Sequence, residues 1–249
     1  MPLTTAARSE IEQAAQRNGF PAAPVREGDW LRLRSPWTRH EVLAGHDGRD
    51  FLVVTFSAVI ASEMEGCTNG PSLPEGARAI FAAPDATRLH ALLQRLYQLA
   101  RALPPEPLSV FQEKTRMLPR TTEAERLVVQ RIGQDIFRES LMEYWAGRCP
   151  LTGITDLALL RASHIVPWAE CESDADRLDV HNGLLLSALW DAAFDRGLVS
   201  FADDGRVLVS PELGAEARVA LRLDDGRRVP GLKNEHRMRL GRHRSRHGF

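Results

Sequence analysis

The sequence predicts an α+β protein in two parts: a small accessory domain over residues 1–104 and a larger domain over residues 121–249, joined by a linker over 105–120. Two observations predict this class. Short runs with alternating polarity or many β-branched and aromatic residues indicate strands, at 30–34, 51–56 and 206–210. Apolar residues at helical spacing occur in both parts and indicate helices that cover these strands.

The accessory part begins with a short amphipathic helix over residues 9–17, followed by the strands at 30–34 and 51–56. Asp85 is the predicted N-cap of a helix that runs to about residue 103. Four leucines at intervals of three and four residues, from Leu89 to Leu99, form its apolar stripe. Several prolines from Pro104 onward then stop the helix and open the predicted linker.

The second part begins with a long helix, because Thr122 and Glu125 form a capping-box pattern. This helix is predicted to end before Gly147. Short strands, an acidic loop over residues 170–179 and a helix over 187–196 follow. A last hairpin is expected around the turn at 202–205, which contains a glycine.

Composition limits the class of protein. The three cysteines form no Cys-x-x-Cys pair, which argues against a disulfide framework or a cysteine zinc site and favours a reducing compartment. The N-terminus has no apolar signal segment, and no apolar run approaches the roughly 20 residues of a membrane span. We therefore expect a cytoplasmic protein without a membrane partner.

Charge is distributed unevenly, although the formal net charge is only −1. From residue 227 to the C-terminus, eight arginine and lysine residues stand against Glu235 alone, whereas the segment before this tail is acidic. Such a tail can contact a polyanion, clamp onto the acidic part of its own chain, or simply be solvated. The charge pattern leaves these three alternatives open.

Three short segments between residues 162 and 195 carry residues suited to phosphodiester hydrolysis. His164 lies in a short apolar strand, Asn182 precedes a glycine, and Asp191 and Asp195 are one helical turn apart. Hydrolysis needs a base for water, and histidine, with a pKa of about 6.5, suits that task. Two acids at i and i+4 repel each other unless a cation lies between them, and carboxylates prefer hard divalent cations. The pattern therefore indicates a one-metal phosphodiesterase.

The amino-acid sequences of these segments resemble those of the HNH endonucleases, and more narrowly those of a bacterial subgroup of that family. The matching segments read Ala-Ser-His-Ile-Val-Pro-Trp, Asn-Gly-Leu-Leu-Leu-Ser-Ala-Leu and Asp-Ala-Ala-Phe-Asp-Arg-Gly-Leu. The resemblance covers about residues 121–249 and implies a ββα-metal fold, a β-hairpin and a helix around one metal ion. It implies that His164 is the general base, that Asn182 orients its ring through a hydrogen bond, and that Asp191 and Asp195 bind metal. Ser163 stands where family members often have a metal-binding Asp or His.

The resemblance also implies the reaction, which is hydrolysis of DNA with one divalent ion, Mg²⁺ in the first place, to 5′-phosphate and 3′-hydroxyl ends. One such site cuts one strand, so double-strand cleavage would require a homodimer or two successive binding and cleavage events. A role in restriction or phage defence, with the accessory domain as target reader, follows by analogy. The alternatives are a catalytically weak nucleic-acid-binding or regulatory module on the same scaffold, and a toxin.

Further residues are predicted to contact nucleic acid: Gln134, Arg138, His181, Arg237, Arg242 and Arg244. The tail arginines would supply affinity that falls steeply with salt. For Arg138, an ion pair with Asp135 or Glu139 is an equal alternative. Structural interpretations also stand beside the candidate site: a core position for His164, a simple Asn-Gly turn at 182–183, and solvated helix acids at 191 and 195.

Overall fold

The structure, a computed structural model, describes residues 3–68 and 74–249. It divides into two compact units, Met1–Leu103 and Pro104–Phe249. Each unit combines helices with antiparallel strands, which confirms the predicted α+β class. No helix in the described part of the chain is long and apolar enough to span a membrane.

The first unit is a five-stranded antiparallel meander with helices, in which the strands lie in the sheet in chain order. One face is apolar because alternate residues such as Leu31 and Leu33 are buried, and leucines of the third helix are also buried. The elements are α1 Thr5–Arg17, β1 Val25–Glu27, β2 Trp30–Ser35, β3 Thr38–His46, β4 Phe51–Thr55, α2 Ala58–Glu63, β5 Ala79–Ala83 and α3 Ala86–Ala102.

The second unit contains two short β-hairpins surrounded by helices. The capping box predicted at Thr122 is present, since Thr122 and Glu125 exchange side-chain to backbone hydrogen bonds. The elements are α4 Glu106–Thr115, α5 Glu123–Tyr144, β6 Leu160–His164, α6 Asp174–Leu178, β7 Gly183–Ser187, α7 Ala188–Asp195, β8 Val199–Phe201, β9 Val207–Val209, α8 Ala215–Ala220 and α9 Asn234–His247.

The segment predicted as a linker, residues 105–120, contains helix α4 instead. Pro105 occupies the N-cap and Pro107 the first turn, where a missing backbone N–H costs no helical hydrogen bond. The proline cluster therefore starts a helix as well as ending one. Helix α4 packs on α5, and its Phe111 is buried.

The hairpin β6–β7 lies at the centre of the second unit, with α5 and α7 both packed on it. The pairing runs from Leu160 opposite Ser187 to His164 opposite Gly183. Every residue of β7 is buried, in contrast to a solvated hairpin. Glycine is needed at 183 because a Cβ there would lie 2.5 Å from the Phe137 ring. The chain thus forms a β-hairpin followed directly by the helix α7.

The basic C-terminal segment is largely the packed helix α9, not a solvated tail. Leu240 and His243 are buried, and the His243 ring stacks on Phe194 at 4.0 Å. His243 Nε2 donates to the Phe194 carbonyl at 3.1 Å, and Nδ1 accepts from the Ser200 hydroxyl at 2.9 Å. Neutral His243 therefore links helix α9 to α7 and β8 through these hydrogen bonds and the stacking contact.

Acid should destabilise the protein partly through His243. Burial lowers the pKa of this ring to about 4, the Phe194 carbonyl opposes that shift, and the charges of His247, Arg246 and Arg244 add to it. The unfolded chain binds this proton more tightly, so the stabilisation is complete above about pH 6.5 and lost as the pH falls toward about 4. Between about pH 7.5 and 5 we expect wild type to lose about 1–2 kcal/mol more unfolding free energy than His243→Gln, measured by urea unfolding. Equal losses would contradict this assignment.

Candidate active site

His164 ends strand β6 and its ring is held in one orientation. Its Nε2 atom lies 2.9 Å from the backbone carbonyl of Arg177. A carbonyl only accepts hydrogen bonds, so Nε2 carries the proton and Nδ1 carries the lone pair. The arrangement selects the tautomer in which Nδ1 is available as a base.

The surroundings of His164 keep its ring uncharged. The ring stacks on Phe137 of α5, with centroids 3.7 Å apart, and meets the edge of Trp168 at 5.6 Å. Burial lowers the pKa of His164 to about 4, although the hydrogen bond to the Arg177 carbonyl opposes this shift. At neutral pH the imidazole is therefore a proton acceptor.

Arg177 organises the loop that presents this carbonyl. Its guanidinium donates to the Trp168 carbonyl at 3.2 Å, to the Cys171 carbonyl at 3.0 Å and to the Asp174 carboxylate at 2.9 Å. The same group lies over the Trp168 ring, 5.8 Å from its centroid. Arg177 thus holds both the aromatic neighbour and the hydrogen-bond partner of His164. It escaped the sequence analysis because its function depends on loop contacts that no local pattern encodes.

Asn182 does not hydrogen-bond the His164 ring, so the predicted direct contact is wrong. Its Oδ1 accepts from the Val166 amide at 2.9 Å, and its Nδ2 donates to the Val166 carbonyl at 3.2 Å. Nδ2 also contacts Cys171 Sγ and the Asp176 carbonyl, both at 3.3 Å. A buried amide side chain is fully satisfied in this way. Asn182 fixes the chain that follows His164 and acts on the ring only through it.

Ser163 and Asp191 are brought together, whereas the neighbouring residue His164 faces away from them. The Ser163 hydroxyl donates to Asp191 Oδ1, which joins β6 to α7. Successive strand residues point to opposite faces, so His164 packs toward α5. The two groups therefore sit at one end of β6, on its two sides.

Asp195 lies one turn after Asp191 and feels its charge. Burial raises the pKa of Asp195, the charge of Asp191 raises it further, and Arg196 opposes both effects. A cation between the two carboxylates would relieve this repulsion. Repulsion between these two carboxylates is the feature here that would favour a bound cation.

The donor atoms at this position suit a hard divalent ion. Two carboxylates and a hydroxyl are oxygen ligands of the kind that Mg²⁺ and Mn²⁺ prefer, with water completing the coordination. Within residues 3–68 and 74–249 there is no group of three or more His, Cys, Asp and Glu side chains placed to hold a metal. The candidate oxygen donors here are the carboxylates of Asp191 and Asp195 and the hydroxyl of Ser163, which already donates to Asp191.

The segment that carries these residues resembles a known protein family. Residues 149–202 match the family model described as HNH endonuclease. The C-terminal half of the chain contains an HNH domain. The match covers the β6–β7 hairpin and α7, which carry all five candidate catalytic and metal-binding residues. No curated protein matches the chain. An HNH domain indicates nuclease activity on nucleic acid, and nucleases of this family typically use a divalent metal.

Two predicted nucleic-acid contacts lie on helix α5 beside the HNH domain. Arg138 donates to the Leu160 carbonyl at 2.9 Å and to the Leu157 carbonyl at 3.0 Å. Its guanidinium therefore holds the start of β6 and, among the described residues, forms no ion pair with Asp135 or Glu139, while the predicted phosphate contact stays a prediction. Gln134 is exposed on the same helix and keeps a side chain open to solvent.

His181 was predicted as a phosphate contact beside the turn, but it is buried. Its Nδ1 donates to Asp179 at 2.9 Å, and Arg239 of α9 pairs with the same carboxylate at 2.9 Å. Burial alone would raise the pKa of Asp179, but His181 and Arg239 outweigh it and hold this pKa at about 2. His181 thus belongs to an internal clamp between α9 and the acidic loop.

The three tail arginines predicted to bind DNA differ in their environment. Arg237 donates to the Asp203 carbonyl at 3.0 Å, and Arg244 donates to the Phe201 carbonyl at 2.7 Å and to Asp203 at 2.8 Å. These two side chains hold α9 in place. Arg242 is exposed and has no hydrogen-bond or ion-pair partner among the described residues. Of the alternatives for the tail, the intramolecular clamp accounts for most of its arginines.

Proposed function

We propose that the HNH domain hydrolyses phosphodiester bonds of DNA, with a divalent ion held by Asp191 and Asp195. The observation that carries the proposal is His164. It is a neutral histidine whose Nδ1 is left as acceptor, one residue away from the oxygen donors. Phosphodiester hydrolysis requires a base for water and a cation, and the end of β6 carries the candidate base on one side and Ser163, which contacts Asp191, on the other.

In the proposed reaction, Nδ1 of His164 takes a proton from water. The water oxygen forms a bond to phosphorus while the bond between phosphorus and the 3′ oxygen breaks. The Arg177 carbonyl stays on Nε2–H and stabilises the imidazolium that forms. A divalent ion, when bound, supplies positive charge to the phosphoryl and leaving oxygens. The leaving 3′ oxygen takes a proton from solvent, and the imidazolium returns its proton to solvent, so the products are a 5′-phosphate and a 3′-hydroxyl.

Arg177 should matter for rate more than for binding. Arg177→Gln removes the donors that hold the loop, so His164 loses its fixed orientation, and misplacement by about 1 Å can cost on the order of 100-fold. We expect cleavage slowed about 10- to 100-fold with DNA affinity unchanged. Nitrogen NMR of the His164 ring should show Nε2–H in wild type and a tautomer mixture in the variant.

Arg161→Gln is the matched control for this prediction. Arg161 also donates to backbone carbonyls, those of Ala158 and Leu160, but makes no contact with the loop around His164. Its variant should keep the tautomer and the rate. If Arg177→Gln also keeps both, the loop is positioned by other contacts.

We also propose that the N-terminal unit selects the target, in a restriction or phage-defence role. Support comes from its separate fold: a five-stranded sheet with its own helices forms one compact unit. The full chain should then cut one class of DNA, modified or unmodified, faster than the other. Equal cleavage rates on modified and unmodified DNA would show that the N-terminal unit does not recognise base modification.

The substrate and product chemistry test the proposed function. Purified protein with Mg²⁺ should nick supercoiled plasmid, leave ends that DNA ligase reseals, and leave RNA of equal length intact. Cleavage restricted to RNA, or DNA nicks that ligase cannot seal, would contradict the proposal. Binding without cleavage on any DNA would favour the catalytically weak binding module.

A further inference from the structure

Helix α9 forms one wall of a cleft, and the segment directly after His164 forms the other. The cleft consists of two cavities of about 240 and 210 Å³. Both are lined by Val166, Glu170 and Arg242, and the smaller one also by Ile165. Ile165 directly follows the last residue of β6, so the cleft lies next to the end of the strand that carries the candidate base.

The cleft also reaches a residue that packs on helix α7. His243 lines the smaller cavity and stacks on Phe194 of α7 at 4.0 Å. The cleft is therefore lined by the residue that follows β6 and by a residue packed on α7, whereas His164, Asp191 and Asp195 do not line it.

Three arginines of α9 line this cleft on one face of the helix. Arg239, Arg242 and Arg246 are spaced i, i+3 and i+7, which covers about 10 Å of helix length. Arg239 is largely buried and pairs with Asp179, so it belongs to the fold. Arg242 is exposed without a partner among the described residues, which leaves its charge available to a ligand.

The Arg246 guanidinium binds the Glu170 carboxylate through two hydrogen bonds, and a phosphate group can bind it in the same geometry. Its Nη1 donates to Glu170 Oε2 at 3.0 Å and its Nη2 to Oε1, a two-point contact. Guanidinium groups bind phosphate oxygens in the same two-point manner. Both side chains are about half exposed, 43% and 50%, and such pairs hold weakly. A polyanion can therefore displace Glu170.

We propose that Arg242 and Arg246 bind backbone phosphates of the substrate strand, and that Glu170 occupies Arg246 until the strand displaces it. The inference rests on the proposed function in that the polyanion is nucleic acid. It adds a phosphate-binding site on α9 and an acidic residue that competes with the substrate. Loss of Glu170 should then tighten DNA binding.

The first test measures DNA affinity of the full chain in EDTA, by fluorescence anisotropy at several salt concentrations. Glu170→Gln should tighten binding about three- to tenfold at low salt. Asp204→Asn is the matched control, because Asp204 also forms an exposed ion pair, with Arg206, and lines neither cavity. It should change affinity less than about twofold, as expected from net charge alone.

The second test removes a cation. Arg242→Gln should weaken binding about three- to tenfold and lower the salt slope by about one, whereas Arg206→Gln should do neither. The proposal is overturned if each variant binds DNA with the same affinity and salt slope as its control. It is also overturned if the wild-type protein does not bind DNA. Cleavage is scored separately with metal. If the variants change DNA binding as predicted but no protein cleaves DNA, the phosphate-binding site on α9 is supported and the proposed nuclease function is rejected. If wild type cleaves DNA but the variants bind it as tightly as wild type does, the nuclease function is supported and the phosphate-binding site is rejected.

Discussion

Replacing His164 with alanine should slow cleavage strongly while DNA binding persists. The ring supplies the proton acceptor through Nδ1, and no other described histidine is held against the Arg177 carbonyl. General-base catalysis contributes about 10²- to 10⁴-fold, so we expect a rate loss of that size under single-turnover conditions. The measurement is the cleavage rate of a labelled duplex at saturating protein, with anisotropy for binding.

A second histidine variant controls for this result. His46 lies in strand β3 of the first unit, outside the HNH match, and His46→Ala should leave the single-turnover cleavage rate at saturating protein unchanged. Because the His164 ring also packs on Phe137, thermal unfolding must show that His164→Ala is folded. A folded His164→Ala protein that cuts within threefold of wild type would mean that another group is the base.

Replacing Asp191 with asparagine should cost at least about 100-fold in cleavage, because charge stabilisation by a bound cation is worth several kcal/mol. The asparagine Oδ1 still accepts the hydrogen bond from Ser163, so the contact between β6 and α7 survives. The variant therefore removes one negative charge and little packing. Mn²⁺ binding by isothermal titration should weaken in parallel.

Asp224→Asn is the matched control, since Asp224 is an exposed acid outside α7. It should leave metal affinity and rate unchanged. If Asp191→Asn binds Mn²⁺ as tightly as wild type, the cation is held elsewhere. If it binds Mn²⁺ weakly but cuts at the normal rate, the ion at Asp191 is not the catalytic one.

Local patterns in the sequence predicted the helix at 187–196 and the candidate residues, whereas the β-hairpin before that helix was implied by the family resemblance. The capping box at Thr122 and the i, i+4 spacing of Asp191 and Asp195 are visible within a few residues. The family resemblance added the expected roles, and residues 149–202 match the HNH endonuclease model. Local patterns thus located the candidate site.

What the sequence did not reveal depends on contacts between distant residues. Arg239 meets Asp179 across 60 positions of sequence, so the basic tail could be read as solvated or DNA-binding. The role of Asn182 depends on its hydrogen bond to the Val166 amide. The role of Arg177 depends on its contact with the Trp168 carbonyl, in the loop between Val166 and Asn182. Helix α4 was missed because prolines that end one helix can also begin the next.

The central claim is that this chain is a metal-dependent nuclease, and plasmid nicking by the wild-type protein tests it most directly. Supercoiled plasmid is incubated with protein in Mg²⁺, in Mn²⁺, in EDTA, and in EDTA followed by excess metal. We predict nicked circles with either metal, none in EDTA, and recovery when metal is restored. Nicking that continues in EDTA, or plasmid that is bound but uncut with every divalent ion and every form of DNA, would contradict the account.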